Sequence, residues 1–185
     1  MKMVELDVNQ IRAALLNTDI KLETYRYIMN VVHNTDVSTD TTYQRKYNGF
    51  YILRFTTEDF RRVYYDYMEA KKGCKDVRFE DVFTHLYTET GGMELSFASK
   101  LVHTINPDMP IWDSRVRYHL KLKRRPTSVQ KTIDYYTDFA QMFAEYIETQ
   151  NAAEIVGVFD EIFGDTGLTA VKKIDNAIWS LGKAK

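Results

Sequence analysis

Apolar positions recur at helical spacing along nearly the whole chain. Residues 8–16 (VNQIRAALL) place Val8, Ile11, Leu15 and Leu16 on one face, with Asp7 positioned to cap the helix. A second helix is expected over 21–32, with Leu22, Tyr25, Ile28, Met29 and Val32 on one side and Asp19 near its start. Residues 34–42 (NTDVSTDTT) are polar and aperiodic, and they predict a mobile loop. Residues 43–55 (YQRKYNGFYILRF) suit a strand by their β-branched and aromatic content, yet Tyr47, Phe50 and Leu53 also fit a helical stripe, and the helix is favoured. Thr56 or Thr57 then caps the run TEDFRRVYYDYMEAKK. Glu58 and Asp59 at its start and Lys71 and Lys72 at its end complement the helix dipole, and Gly73 stops it.

The pattern continues. Residues 78–88 turn Phe79, Val82, Phe83 and Leu86 inward, Gly91-Gly92 makes a turn, and residues 93–105 form the next helix. Asn106-Pro107-Asp108-Met109-Pro110 breaks the chain before Ile111-Trp112 and a basic segment, 113–125. Pro126 and Thr127 open a long helix to about Thr149, and further helices fit 152–163 and 169–181. No repeat is apparent. The expectation is an all-α fold of eight or nine helices. It forms one domain over 1–185 with room for two lobes, the hairpin and its neighbouring segment covering about 78–125.

Composition sharpens this picture. Eight glycines and three prolines in 185 residues exclude collagen-like and linker-dominated chains. A single cysteine, Cys74, excludes an intrachain disulfide and a four-cysteine zinc or iron–sulfur site, and His33, His85, His103 and His119 show no metal-ligand spacing. No metal or other cofactor is therefore expected. MKMVELDVNQ lacks the apolar run of a signal peptide, and no stretch is apolar enough to span a membrane. The expected setting is reducing and cytoplasmic.

The net charge of -1 conceals a polarised chain. Residues 115–125 carry six cations, Arg115, Arg117, Lys121, Lys123, Arg124 and Arg125, and no acid. Residues 132–171 carry eight acids and neither Lys nor Arg. The basic run reads either as a solvated helix face or as a set of phosphate contacts. Tyr64, Tyr65 and Tyr67 are expected to be half core and half surface, and Trp112 to be core or pocket wall.

Candidate chemistry concentrates between Thr88 and Leu122. In the helix over 93–105, Leu95, Ala98, Leu101, Val102 and Ile105 form the apolar stripe, while Ser96, Lys100 and His103 share a second face. Asp113 follows the step Pro110-Ile111-Trp112 and is placed to cap the next helix. On residues alone, Lys100 reads as a solvated lysine, His103 as a hydrogen-bonded or surface histidine, and Asp113 as a cap.

The run Pro110-Ile111-Trp112-Asp113-Ser114-Arg115-Val116 resembles the segment that delivers the catalytic aspartate in helix-hairpin-helix DNA glycosylases. Ser96–Leu101 (SFASKL) is similar to their second hairpin helix, and Tyr47-Asn48-Gly49-Phe50-Tyr51 to an upstream segment of bacterial 8-oxoguanine-glycosylase-like proteins. The likeness covers roughly 43–125. Thr88-Glu89-Thr90-Gly91-Gly92 stands where the family has Leu-Pro-Gly-x-Gly, and the Lys100-to-Asp113 spacing is shorter than in bifunctional members.

The resemblance implies a DNA-binding base-excision protein acting on the N-glycosidic bond of a damaged base such as 8-oxoguanine. Such an enzyme extrudes the base and builds positive charge on the sugar, which a fixed carboxylate stabilises. Asp113 is the candidate, with Lys100 or Ser96 at the nucleophile position; a lysine there would allow strand cleavage through a Schiff base. Gly91, Gly92 and the six cations would hold phosphates. The alternative is a noncatalytic nucleic-acid-binding or interaction module that retains the fold.

Overall fold

The computed structural model describes residues 3–74, 76–123 and 126–182. Among them every regular element is helical: α1 Val8–Leu16, α2 Leu22–Val31, α3 Thr41–Tyr51, a 3-10 turn Leu53–Phe55, α4 Glu58–Lys71, α5 Phe79–Thr90, α6 Leu95–Ile105, α7 Ser114–His119, α8 Val129–Ile147, α9 Gln150–Phe163 and α10 Ala170–Ser180. The described residues thus hold ten α-helices where eight or nine were expected. The additional helix is the short α7, six residues within the basic segment.

The chain divides into two compact units, one of Met1–Ile20 with Pro107–Lys185 and one of Lys21–Asn106. The stretch 78–125 singled out in the sequence runs across both. In the first unit α1 packs on α9 and α10, and α10 also meets α7 and α8. Ile11, Leu15, Phe139, Phe143, Ile155, Phe159, Ile174 and Ile178 fill its core. Side chains close the helix starts. Asp7 accepts from Asn9 N and Gln10 N, Thr149 from Ala152 N, and Thr169 from Lys172 N.

In the second unit α5 packs on α6 and α4, and α2 on α3. Tyr43, Tyr47 and Tyr51, four residues apart, line the inner face of α3. With Tyr64 and Tyr65 of α4 they make a core of phenols. The hydroxyl of Tyr47 lies 2.9 Å from that of Tyr64 and 3.0 Å from Thr104 Oγ1. Tyr64 donates towards Phe97 O at 3.1 Å and Thr104 to Lys100 O at 2.7 Å. Burial raises Tyr43, Tyr47, Tyr64 and Tyr65 well above the ordinary phenol range.

The polar segment 34–42 is tethered, which corrects the expectation of a mobile loop. Val37 is fully buried, its N–H donates to Glu69 at 2.8 Å, and Lys72 Nζ bonds Thr35 O. Asp36 binds Ser38, and Asp40 caps α3 through Thr42 N and Tyr43 N. The bonds from Ser38 to Asp36, and from Tyr43 N and Thr35 to Asp40, hold both carboxyls below the usual range. At the start of α2, Lys21 stands in the left-handed region (φ 52) and the helix has no side-chain cap.

Candidate functional site

Asp113 caps α7, the role its position predicts. Its Oδ1 accepts from Arg115 N and Val116 N, both at 2.9 Å, and these bonds orient the half-buried carboxylate. The approach to it is pinned from α8. Tyr136 O–H donates to Pro110 O at 2.8 Å, Trp112 Nε1 donates to Tyr135 Oη at 3.4 Å, and Tyr135 in turn donates to Lys123 O at 2.9 Å. Burial raises the Tyr136 and Tyr135 phenols, so both remain protonated donors at neutral pH. Segment 110–123 is therefore held on both sides of Asp113 by two adjacent tyrosines of one helix.

α10 holds the same segment from another direction. Thr169 Oγ1 donates to Pro107 O at 3.0 Å near the start of α10. Near its end Arg115 lies over the Trp179 ring at 3.9 Å and donates through Nη1 to Trp179 O at 2.9 Å. His119 donates to Gly182 O at 3.1 Å. Trp179 and Thr169 thus belong to the architecture around Asp113, and the sequence reading passed over them. No local pattern marked them, because Thr169 is the N-cap of α10 and Trp179 lies in its last turn.

The basic run does not continue as a helix. α7 ends at His119, and Lys121 takes φ 53, which turns the chain. Arg117 is half-buried, while Lys121 and Lys123 are exposed. Arg115 is engaged with Trp179. Arg124 and Arg125 lie outside the described residues.

Lys100 and Asp113 belong to different compact units. Lys100 is only 8% exposed, and its Nζ donates to Tyr51 O at 3.1 Å and sits 5.2 Å from the Phe97 ring centre. This corrects the reading of a solvated lysine. Its neighbour on the same face, His103, is fully buried with Tyr25 Oη 2.9 Å from Nε2. Ser96 is half-buried at the first turn of α6, its carbonyl accepting from Ser99 Oγ at 2.9 Å. The face bearing Ser96, Lys100 and His103 therefore points into the second unit.

Gly91 ends α5 in the left-handed region (φ 69), where a side chain would be strained. Its N–H donates to Tyr87 O at 2.8 Å and that of Gly92 to Thr90 Oγ1 at 3.2 Å. Both glycine N–H groups are thus satisfied within the chain.

Among the described residues no three His, Cys, Asp or Glu side chains gather as a metal site, and no helix is long and apolar enough to cross a membrane. Comparisons with protein-family models, with curated proteins and with solved structures find no match for this chain.

Proposed function

We propose that the protein binds DNA and hydrolyses the N-glycosidic bond of a damaged base such as 8-oxoguanine, with a helix-hairpin-helix glycosylase-like fold. The observation that carries this reading is the Asp113 carboxylate, oriented by two backbone N–H groups on a segment anchored through Pro110, Arg115 and Lys123. A carboxylate held still at a known place is what an oxocarbenium-like sugar requires, since preorganised charge stabilises charge that develops in the transition state. In the step itself the bond between C1′ and the base nitrogen breaks, and its electron pair leaves on the base. Water adds at C1′, and the proton it loses is balanced by the one the base gains. Asp113 stabilises the sugar cation or orients that water. Arg117, Lys121 and Lys123 supply phosphate contacts near it.

The burial of Lys100 and its bond to Tyr51 O favour hydrolysis over a Schiff-base route at that residue. A second reading, a nucleic-acid-binding module without catalysis, draws on the hairpin, whose glycine N–H groups already have partners inside the chain.

Asp113→Asn separates these readings. Asn is as good an N-cap as Asp, so the fold stays within about 0.5 kcal/mol of the parent while the charge is lost. With duplexes carrying 8-oxoguanine, uracil or mismatched adenine, the parent releases base, the variant does not, and borohydride traps no adduct. Base release unchanged in Asp113→Asn refutes the assigned role. DNA binding without release from any duplex leaves the binding-module reading.

A further inference from the structure

While α3 turns its tyrosines inward, another flank of it lines an open groove with α4, about 520 Å³ in volume. The lining residues are Thr41, Gln44, Arg45, Asn48 and Gly49 from α3 and Arg61 from α4. Two carry guanidinium groups and none carries a carboxylate. Asp40, just before Thr41, already accepts from Thr42 N, Tyr43 N and Thr35 Oγ1. Between Thr41 and Thr57 the chain holds Arg45, Lys46 and Arg54 and no acid.

Contacts within the unit fix what the groove presents. Tyr65 O–H donates to Asn48 Oδ1 at 2.7 Å, which occupies the amide's acceptor and leaves its NH2 as the group to offer. Arg61 donates through Nη1 to Thr56 O, which fixes one edge of its guanidinium. Arg45 is exposed and makes no hydrogen bond or ion pair among the described residues. The assembled set is two cations, an amide donor and a hydroxyl, which matches a phosphate.

Gly49 is an independent sign. It lies inside α3, its φ is not positive, and a Cβ there would meet no atom within 4 Å. Neither the backbone nor packing requires glycine, although glycine weakens a helix relative to alanine. Glycine there leaves this stretch of the groove wall without a side chain. At the end of α3, Ile52 turns the chain at φ 64, a conformation rare for a β-branched residue. Phe55, 78% exposed, directly precedes Thr56, whose carbonyl accepts from Arg61.

We propose that this groove binds one nucleotide unit of a nucleic-acid strand, its phosphate between Arg45 and Arg61 and its base against the Phe55 ring. The identity of the ligand rests on the nucleic-acid reading above, and the site itself is independent of Asp113. Aromatic stacking beside a phosphate-binding groove is the recurring design for single strands.

The test is an NMR titration of the full chain with inorganic phosphate, a deoxynucleoside monophosphate and a short single-stranded oligodeoxynucleotide. Saturable shifts are expected at the Gly49 amide and the Asn48 side-chain NH2, with affinity rising from phosphate to oligonucleotide. Arg45→Gln weakens binding about tenfold, the loss of one charge-assisted contact, and Phe55→Ala lowers mononucleotide affinity to that of phosphate. Gly49→Ala raises the thermal midpoint while weakening binding, so misfolding cannot mimic the result. Absence of saturable shifts at both positions, equal affinity for phosphate and mononucleotide, or parental binding by Arg45→Gln or Gly49→Ala overturns the proposal. Asp113→Asn retains all of this binding. Failure of base release with the groove titrating normally therefore refutes the catalytic reading alone, and release without groove binding refutes this site alone.

Discussion

The hydroxyl chain in the second unit offers a test in which proton arithmetic and contact counting disagree. Tyr47, Tyr64 and Thr104 make four hydroxyl contacts: Tyr47 with Tyr64, Tyr47 with Thr104, Tyr64 with Phe97 O and Thr104 with Lys100 O. Each hydroxyl has one proton, so three protons serve four contacts. Thr104 gives its proton to Lys100 O at 2.7 Å, Tyr47 gives its own to Thr104, and Tyr64 alternates between Tyr47 and Phe97 O. In Tyr47→Phe the Tyr64 proton settles on Phe97 O, so one bond is lost and no donor is stranded. In Tyr64→Phe the Tyr47 proton stays on Thr104, and again one bond is lost. Each variant should therefore cost about 1 kcal/mol, the usual net worth of a buried hydrogen bond. The double variant should cost about 2 kcal/mol, the sum of the two. If all four contacts counted equally, each single variant would lose two bonds and the double variant three. Urea unfolding at neutral pH, followed by helical circular dichroism, gives the three differences and hence the coupling. Single losses near 2 kcal/mol combined with a double variant well below their sum would refute the proton-limited picture.

Alkaline pH should unfold the protein through these same phenols. Burial raises Tyr43, Tyr47, Tyr64, Tyr65 and Tyr136, and pushes Tyr146 up to about 12. Below the unfolded value of about 10 both states keep their protons and this contribution is intact; above it the unfolded chain releases protons first, so stability falls as pH rises. Urea midpoints measured from neutral to alkaline pH should be level and then decline, and a level profile throughout contradicts the assignment. In α10, Lys172 and Asp175 form a 2.6 Å pair at 3% and 9% side-chain exposure. Lys172→Ala strands a buried carboxylate and should cost about 3–5 kcal/mol, whereas replacing both by apolar residues of similar size should cost much less. Equal losses in the two variants, measured by thermal unfolding, would contradict that account.

Local signals in the sequence carried the helices well, because caps and apolar spacing are local causes. The first helix runs over Val8–Leu16 behind Asp7, as its pattern predicts, and Thr57 and Asp113 cap where their positions suggest. The ambiguous run 43–55 proved helical as far as Tyr51, and its tyrosine stripe at every fourth residue is the visible reason. Long-range partners were not legible. Nothing local says that Lys100 reaches Tyr51 O, or that Val37 anchors an otherwise polar loop on Glu69. The segment around Asp113 was found from its residues, but the tyrosines and the tryptophan that hold it lie at least 12 residues away along the chain. Gly49 was visible as a glycine within a helical pattern. The open space beside it depends on how α3 and α4 pack, which no local pattern encodes.

The division of the chain has a consequence for how the protein forms during synthesis. Lys21–Asn106 is one uninterrupted stretch, whereas the other unit joins Met1–Ile20 to Pro107–Lys185. The inserted unit is complete in sequence once Asn106 has left the ribosome. By contrast, α1 must wait for α9 and α10, its packing partners. At typical elongation rates of about 5–20 residues per second, the stretch between Asn106 and the end of α10 takes roughly 4–15 seconds to make. For that interval Ile11 and Leu15 have no core to enter. The second-made helices close the first-made one, so a ribosome pause in the stretch before α9 should prolong exposure of α1 to chaperones and leave the inserted unit unaffected.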